Sequence, residues 1–303
     1  MSIHEKPHYY FEFTLEASGD QALLIELDWI SKKLRIKPSE SKMMGESFVA
    51  FNQTSISKFT RWTKQSKTYR DWDIDMNFEK FVARFQKREK EIIEILDKYK
   101  ECGLSASICF VPTFYDQNAY KIKIPLHIMR FLSTTKSFFT TDAYFEPNPQ
   151  LSHLKFRQKP HYYFEFTLEA SGDQALLIEL DWISKKLRIK PSESKMMGES
   201  FVAFNQTSIS KFTRWTKQSK TYRDWDIDMN FEKFVARFQK REKEIIEILD
   251  KYKECGLSAS ICFVPTFYGE NVYDCGISPK MASWLSSMQT NFRANPKVLT
   301  EIV

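Results

Sequence analysis

Lys6-Pro7-His8-Tyr9-Tyr10-Phe11-Glu12-Phe13-Thr14-Leu15-Glu16 opens a stretch that returns letter for letter at Lys159. The repeat runs over Lys6–Tyr115 and again over Lys159–Tyr268, an offset of 153 (159 − 6), without one substitution. Trp62 becomes Trp215, Trp72 becomes Trp225, and Cys109 becomes Cys262. Beyond these bounds the match fades, with Glu5 facing Gln158 and Asp116 facing Gly269. A solenoid repeats every 20–50 residues or so. This period is that of a whole domain. The chain therefore reads as two complete domains in tandem: a first copy over residues 1–146, a linker over 147–158 carrying Pro147 and Pro149, and a second copy over 159–303. Cores tolerate swaps among apolar residues. Their absence marks a duplication that is recent, homogenised by recombination, or constructed. Identical neighbours can serve one bivalent partner with added avidity. They can also pair into one another and exchange elements.

Working outward from the opening stretch, His8–Glu16 alternates. Tyr9, Phe11, Phe13 and Leu15 point one way, with Tyr10, Glu12, Thr14 and Glu16 opposite, as in a half-buried strand. Ser18 and Gln21 stand at capping-box spacing. Leu23, Leu27, Ile30 and Leu34 then form one helical stripe, closed at Pro38. Ser39–Gly45 reads as a loop, and Ser47–Asn52 and Ser57–Lys64 as strands. In Thr68–Met76 the alternation predicts a further strand, with Trp72, Ile74 and Met76 on one face and Asp71, Asp73 and Asp75 on the other. Asn77 can then cap one long helix from Phe78 to Glu101, whose inner face includes Phe81, Phe85, Ile92 and Leu96. Gly103 would end it. Leu104–Tyr115 is the next strand.

After the repeat the copies keep a shape without identity. Ile124-Pro125-Leu126 and Ile277-Ser278-Pro279 each lead into a short helix. Thr140–Glu146 predicts a last strand in the first copy, while Asn291–Val303 carries a weaker strand pattern in the second. Each copy thus belongs to the α+β class, a mostly antiparallel sheet with helices on one face. The specific expectation is a ferredoxin-like plan of strand, helix and strand, used twice.

Composition narrows the chemistry. Of 303 residues, 42% are hydrophobic and 15% aromatic, with 26 Phe, enough large side chains for two cores. The formal net charge is +6, but one copy holds 18 Lys+Arg against 16 Asp+Glu, a net of +2. That is no excess of the size nucleic-acid binding needs. No apolar run approaches the ~18 residues of a membrane span, and the N-terminus carries no apolar signal core. Five cysteines without C-x-x-C spacing fit reduced thiols. The expectation is a cytoplasmic protein.

No catalytic motif or zinc spacing is found, and neither catalytic residues, a metal nor a cofactor is expected. Each repeat holds one histidine, His8 or His161. Asp71, Asp73 and Asp75 could hold a divalent cation, but the glycine and terminal glutamate of a calcium loop are missing. The sharpest local signal is Lys58–Trp72. It carries Lys58, Arg61, Lys64, Lys67 and Arg70 before any acid, interleaved with Phe59, Trp62, Tyr69 and Trp72. Arg61, Lys64, Lys67, Tyr69 and Arg70, repeated as Arg214, Lys217, Lys220, Tyr222 and Arg223, are the candidate binding residues, on an exposed strand pair. Such a surface suits a protein hot spot, because Tyr, Trp and Arg dominate those. It also suits stacking on single-stranded nucleic acid. The bland reading is a solvated hairpin over buried tryptophans.

The opening strand Tyr9–Leu15, the run Leu34-Arg35-Ile36-Lys37-Pro38-Ser39, the tryptophans Trp62 and Trp72, the long helix before Leu104–Phe110 and the late Ser278-Pro279…Trp284-Leu285 helix together carry a resemblance. The unit resembles a bacterial family, the domain of unknown function numbered 4279. The resemblance implies small cytoplasmic α+β modules with no assigned activity. Some bacterial proteins of similar build act as immunity proteins beside toxin genes. The leading expectation is a non-catalytic binding module, an immunity protein that occupies a toxin. The alternatives are a nucleic-acid-binding protein and an enzyme without a recognisable motif. The departure from the family pattern is the missing clear final strand of the second copy.

Overall fold

The computed structural model describes residues 8–50, 53–114, 122–141, 144–145, 161–203, 206–224, 226–267, 276–294 and 297–298. The expected linker at 147–158 lies outside them. The first copy contains β1 (His8–Ser18), α1 (Leu27–Leu34), β2 (Glu40–Lys42), β3 (Ser47–Ala50), β4 (Gln53–Ile56), β5 (Phe59–Gln65), α2 (Ile74–Gln86), α3 (Glu89–Lys98), β6 (Ser105–Phe114), β7 (Ile122–Ile124), α4 (Leu126–Thr134), β8 (Phe138–Thr141) and β9 (Tyr144–Phe145). The second contains β10 (His161–Ser171), α5 (Leu180–Leu187), β11 (Glu193–Lys195), β12 (Ser200–Ala203), β13 (Gln206–Ile209), β14 (Phe212–Gln218), α6 (Ile227–Gln239), α7 (Glu242–Lys251), β15 (Ser258–Phe267), α8 (Pro279–Ser287), β16 (Thr290–Ala294) and β17 (Lys297–Val298).

β1 is the centre of the first sheet, antiparallel to β5 on one side and β6 on the other. Its alternation is kept in full: Tyr9, Phe11, Phe13, Leu15 and Ala17 are buried, and the residues between them are half-buried. Onto that inner face α2 lays Phe78, Phe81 and Phe85. Phe13 and Phe85 stack with centroids 4.2 Å apart, and Phe11 stacks on Phe81 at 5.8 Å. Trp62 on β5 is wholly buried, and its indole N–H donates to Ser31 Oγ on α1 at 3.0 Å. Fully burying an aromatic removes ~150–250 Å² from water, and the indole N–H then needs the partner it has here.

The class is α+β, as the sequence indicates. The strand order is that of the ferredoxin-like plan, with β8 added beside β6. The sheet runs β2-β5-β1-β6-β8, with β9 beside β6. In a split β-α-β unit another strand lies between the two that flank the helix. Here β5 lies between β1 and β2, which flank α1, and β1 lies between β5 and β6, which flank α2 and α3. β6-α4-β8 adds a crossover between directly paired parallel strands.

Other expectations are corrected. Leu23 is exposed, because Asp20–Leu24 forms a separate 3-10 turn entered through Gly19 at φ 90°. That turn has no side-chain cap, and it buries Ala22. The stripe survives in Ile30 and Leu34. Thr68–Met76 is not a strand. Asp71 Oδ1 accepts the Asp73 N–H at 3.1 Å, a local turn of the kind aspartate favours, and helix begins at Ile74. The long helix is two helices. Gln86-Lys87-Arg88-Glu89-Lys90 places no apolar residue one turn beyond Phe85, and the chain bends at Arg88, with φ −120°. In α3 the buried positions are Ile92 and Ile95, with Leu96 only half-buried. The second copy does have a last strand: Thr290, Phe292 and Ala294 are buried along β16, parallel to β15.

The chain forms two compact units, and neither consists of one copy alone. The first comprises Met1–Asn118, His127–Leu154 and Glu270–Ser283, and the second Ala119–Leu126, Lys155–Gly269 and Trp284–Val303. In the first unit Phe139 of β8 exchanges both backbone hydrogen bonds with Ile277, at 3.1 and 2.7 Å. In the second unit β7 of the first copy lines the outer side of β16, with Ile124 opposite Phe292. Phe139 and Phe292, and likewise Ile124 and Ile277, are equivalent positions at the repeat offset. The segment before each proline-led helix has thus been traded reciprocally.

Candidate functional site

The stretch from Ser66 to Met76 and its repeat hold the candidate surface. It is pinned from beneath by the strand core. Tyr69 and Tyr9 exchange backbone hydrogen bonds at 2.8 and 3.2 Å, and their rings stack with centroids 5.3 Å apart. The Tyr9 hydroxyl donates to Asp71 Oδ1 at 2.6 Å and accepts from Asn77 Nδ2 at 2.8 Å. Asn77 also donates to the same Asp71 oxygen at 3.0 Å. Burial, and then the anionic acceptor Asp71, push the Tyr9 phenol well above its ordinary range. It is a fixed hydrogen-bond donor at neutral pH. Burial raises the Tyr69 phenol as well. The same network joins Tyr162, Asp224 and Asn230.

The five candidate residues do not share a surface. Successive residues of a strand point to opposite faces. Arg61 lies on the outer face of β5, ion-paired with Glu16 on β1, while Lys64 falls on the face of Trp62. Arg214 pairs with Glu169 in the same way, and Lys217 alternates from it. The acid that neutralises Arg61 comes from the neighbouring strand, so a reading along one segment could not find it. Lys67, Tyr69 and Arg70 do come together, but on the loop after β5 rather than on a strand pair. The Lys67 ammonium lies 5.2 Å from the Tyr69 ring centroid, and Arg70 is exposed. Lys220 repeats this over Tyr222, and Arg223 is likewise exposed.

Two residues of the surface were misjudged from sequence. Trp72 is 54% exposed and Met76 46%, although the alternation had put both on one strand face with Ile74. Their signal was present in Asp71 and Asp73, whose turn-forming habit starts the helix early and rotates Trp72 away from the sheet. Arg70, Trp72 and Met76 thus leave a rigidly anchored loop and helix start pointing outward. Met229 repeats the exposure of Met76.

Cys102, Cys109, Cys255 and Cys262 are half-buried and not in disulfides. Burial, and then the charge of Arg223, lower the His161 imidazole below its usual value. Among the described residues no helix is long and apolar enough to cross a membrane.

The model of a family described as a domain of unknown function, DUF4279, matches residues 8–146. The second copy repeats most of the matched stretch identically. No curated protein matches the chain.

Proposed function

We propose that this chain is a non-catalytic module that binds a protein partner through Lys67, Arg70, Trp72 and Met76 around Tyr69, and through the same surface of the second copy. The observation that carries this reading is the exposure of Trp72 in a protein that buries Trp62 completely. An exposed tryptophan beside arginine, on a loop held by a buried tyrosine network, has the composition of a binding hot spot and little ordering cost on association. The stretch that forms it occurs twice in the sequence, so a partner that engages both copies gains avidity.

Within this reading, the family resemblance favours an immunity protein whose partner is a toxin. Cysteines held as thiols fit a reducing, cytoplasmic setting. Nucleic acid is the less favoured partner, since Arg61 is already neutralised by Glu16.

The test is affinity capture with wild type and with Arg70→Ala, Trp72→Ala, Arg223→Ala and Trp225→Ala combined, because one intact copy would mask the other. Loss of about 2 kcal/mol per hot-spot truncation would remove a captured protein almost entirely. Undiminished capture of every partner would refute the surface. A captured toxin silenced by wild type but active beside the variant would establish the narrower reading. A steep dependence of oligonucleotide binding on salt would instead favour nucleic acid.

A further inference from the structure

Helix α5 and strand β11 bound an open cleft of about 550 Å³. Leu180, Asp181, Lys185 and Arg188 line it from the helix, and Glu193 and Ser194 from the strand. In the first copy a cleft of about 620 Å³ uses the equivalent Leu27, Asp28, Lys32 and Ser41, and extends past them to Leu24 and Met43. The two stretches are identical in sequence, so each copy carries both ends of one groove along its helix.

The ends of that groove differ in chemistry. At the start of α1 stand Glu26 and Asp28, beside Leu23 and Leu24, which are 53% and 68% exposed. At its end stand Lys32, Arg35 and Lys37, all exposed. Neighbouring lysines are ion-paired, Lys33 with Glu94 and Lys42 with Glu40. Among the described residues no acid lies within ion-pair distance of Lys32, Arg35 or Lys37, nor of Lys185, Arg188 or Lys190. Arg35 and Arg188 also occupy the left-handed position that ends each helix, at φ 55° and 52°. Glycine is the common residue there, because a Cβ crowds the backbone. The cap is made by backbone alone: Arg35 N–H donates to Lys32 O, and Ile36 N–H to Ser31 O, each at 3.3 Å. It has no need of a guanidinium.

We propose that the groove between α1 and β2, and its repeat between α5 and β11, binds an extended acidic peptide segment of a partner protein. Its carboxylates meet Lys32, Arg35 and Lys37, and an apolar side chain at its other end rests on Leu24 and Met43. Arginine suits such a site because its fork matches a carboxylate. Helix α1 has 8 residues, which at about 1.5 Å each is a length that three or four extended residues cover. Among the described residues β2 and β11 end the strand order of their sheets, so the segment lies alongside a terminal strand, as in strand addition. A uniform polyanion fits less well, since Glu26 and Asp28 would repel it at the first end. The groove shares no residue with the surface around Trp72.

The probes are two fluorescein-labelled peptides of four glutamates, two serines and one leucine, with the leucine at one end or the other. Each is titrated by anisotropy into the full-length chain and into the chain carrying Arg35→Gly and Arg188→Gly. One peptide should saturate on the wild type and bind the variant about tenfold more weakly or worse, the loss expected of a charged hydrogen bond. The variant should melt no lower than the wild type, because glycine relaxes the left-handed position. Equal binding by the variant would overturn the proposal, as would failure of both peptides to saturate at millimolar concentration. A lowered melting temperature would overturn it too, by assigning the arginines to the fold. Displacement of the peptide by an equal concentration of oligothymidylate would give the groove to nucleic acid instead.

Discussion

Tyr9 is the residue on which the loop chemistry turns. Its hydroxyl ties the central strand to Asp71 and Asn77, and its ring carries Tyr69. Its phenol titrates higher in the folded chain than in the unfolded one. A raised folded value contributes stability that is complete below the unfolded value, about 10, and is lost as pH rises above it. Tyr162 acts with the same sign. Replacing both by Phe should therefore flatten the fall in melting temperature above about pH 10. At neutral pH the change should cost on the order of 1 kcal/mol per site, the typical worth of the lost hydrogen bond. Thermal melts from pH 7 to 11 check both parts. His161 has the opposite sense: its folded value is lowered, so its contribution is present above the unfolded value and fades as pH falls below about 6.5. Substituting His161 with Gln should reduce the loss of stability on acidification, read by the same melts at pH 5–7.

At the scale of the element, period explains both what could be read and what could not. β1 alternates without a break, and the burial follows it residue by residue. β6 behaves alike, with Ala106, Ile108 and Phe110 buried. Helix α2 was placed correctly on its inner face but started four residues late, because the strand-like alternation of Asp71–Met76 hid a turn and a first helical turn. The break between α2 and α3 lay in a polar run that helix propensity alone does not interrupt; the missing apolar contact after Phe85 does. The candidate surface was half visible for the same reason. Lys67, Tyr69 and Arg70 follow one another along the chain, whereas the Arg61–Glu16 pair depends on register between strands. Since Phe85 stacks on Phe13 and Phe238 on Phe166, Phe85→Ala with Phe238→Ala should cost about 3–5 kcal/mol per unit. Chemical denaturation of the full chain measures it. A midpoint left unchanged would show that α2 and α6 are not seated as described.

At the scale of the whole molecule, the sequence showed two copies but not which segment closes which sheet. Identical copies give the same local signals for either closure: Ile124 finds an equivalent phenylalanine in Phe139 and in Phe292. Only the path of the chain decides. In the exchanged arrangement each compact unit needs both copies, so neither unit is a product of one contiguous stretch. Lys123 opposite Arg293 is the contact that exists only in that arrangement. The direct measurement uses Lys123→Cys with Arg293→Cys, in a chain whose five native cysteines are replaced by Ala, and with a protease site placed within residues 147–158. The dilute chain is oxidised, cleaved there, and run denatured without reductant. Reciprocal exchange gives one band holding both fragments, resolved into two by reductant. Two separate bands without reductant would contradict the exchange and return each copy to a sheet of its own.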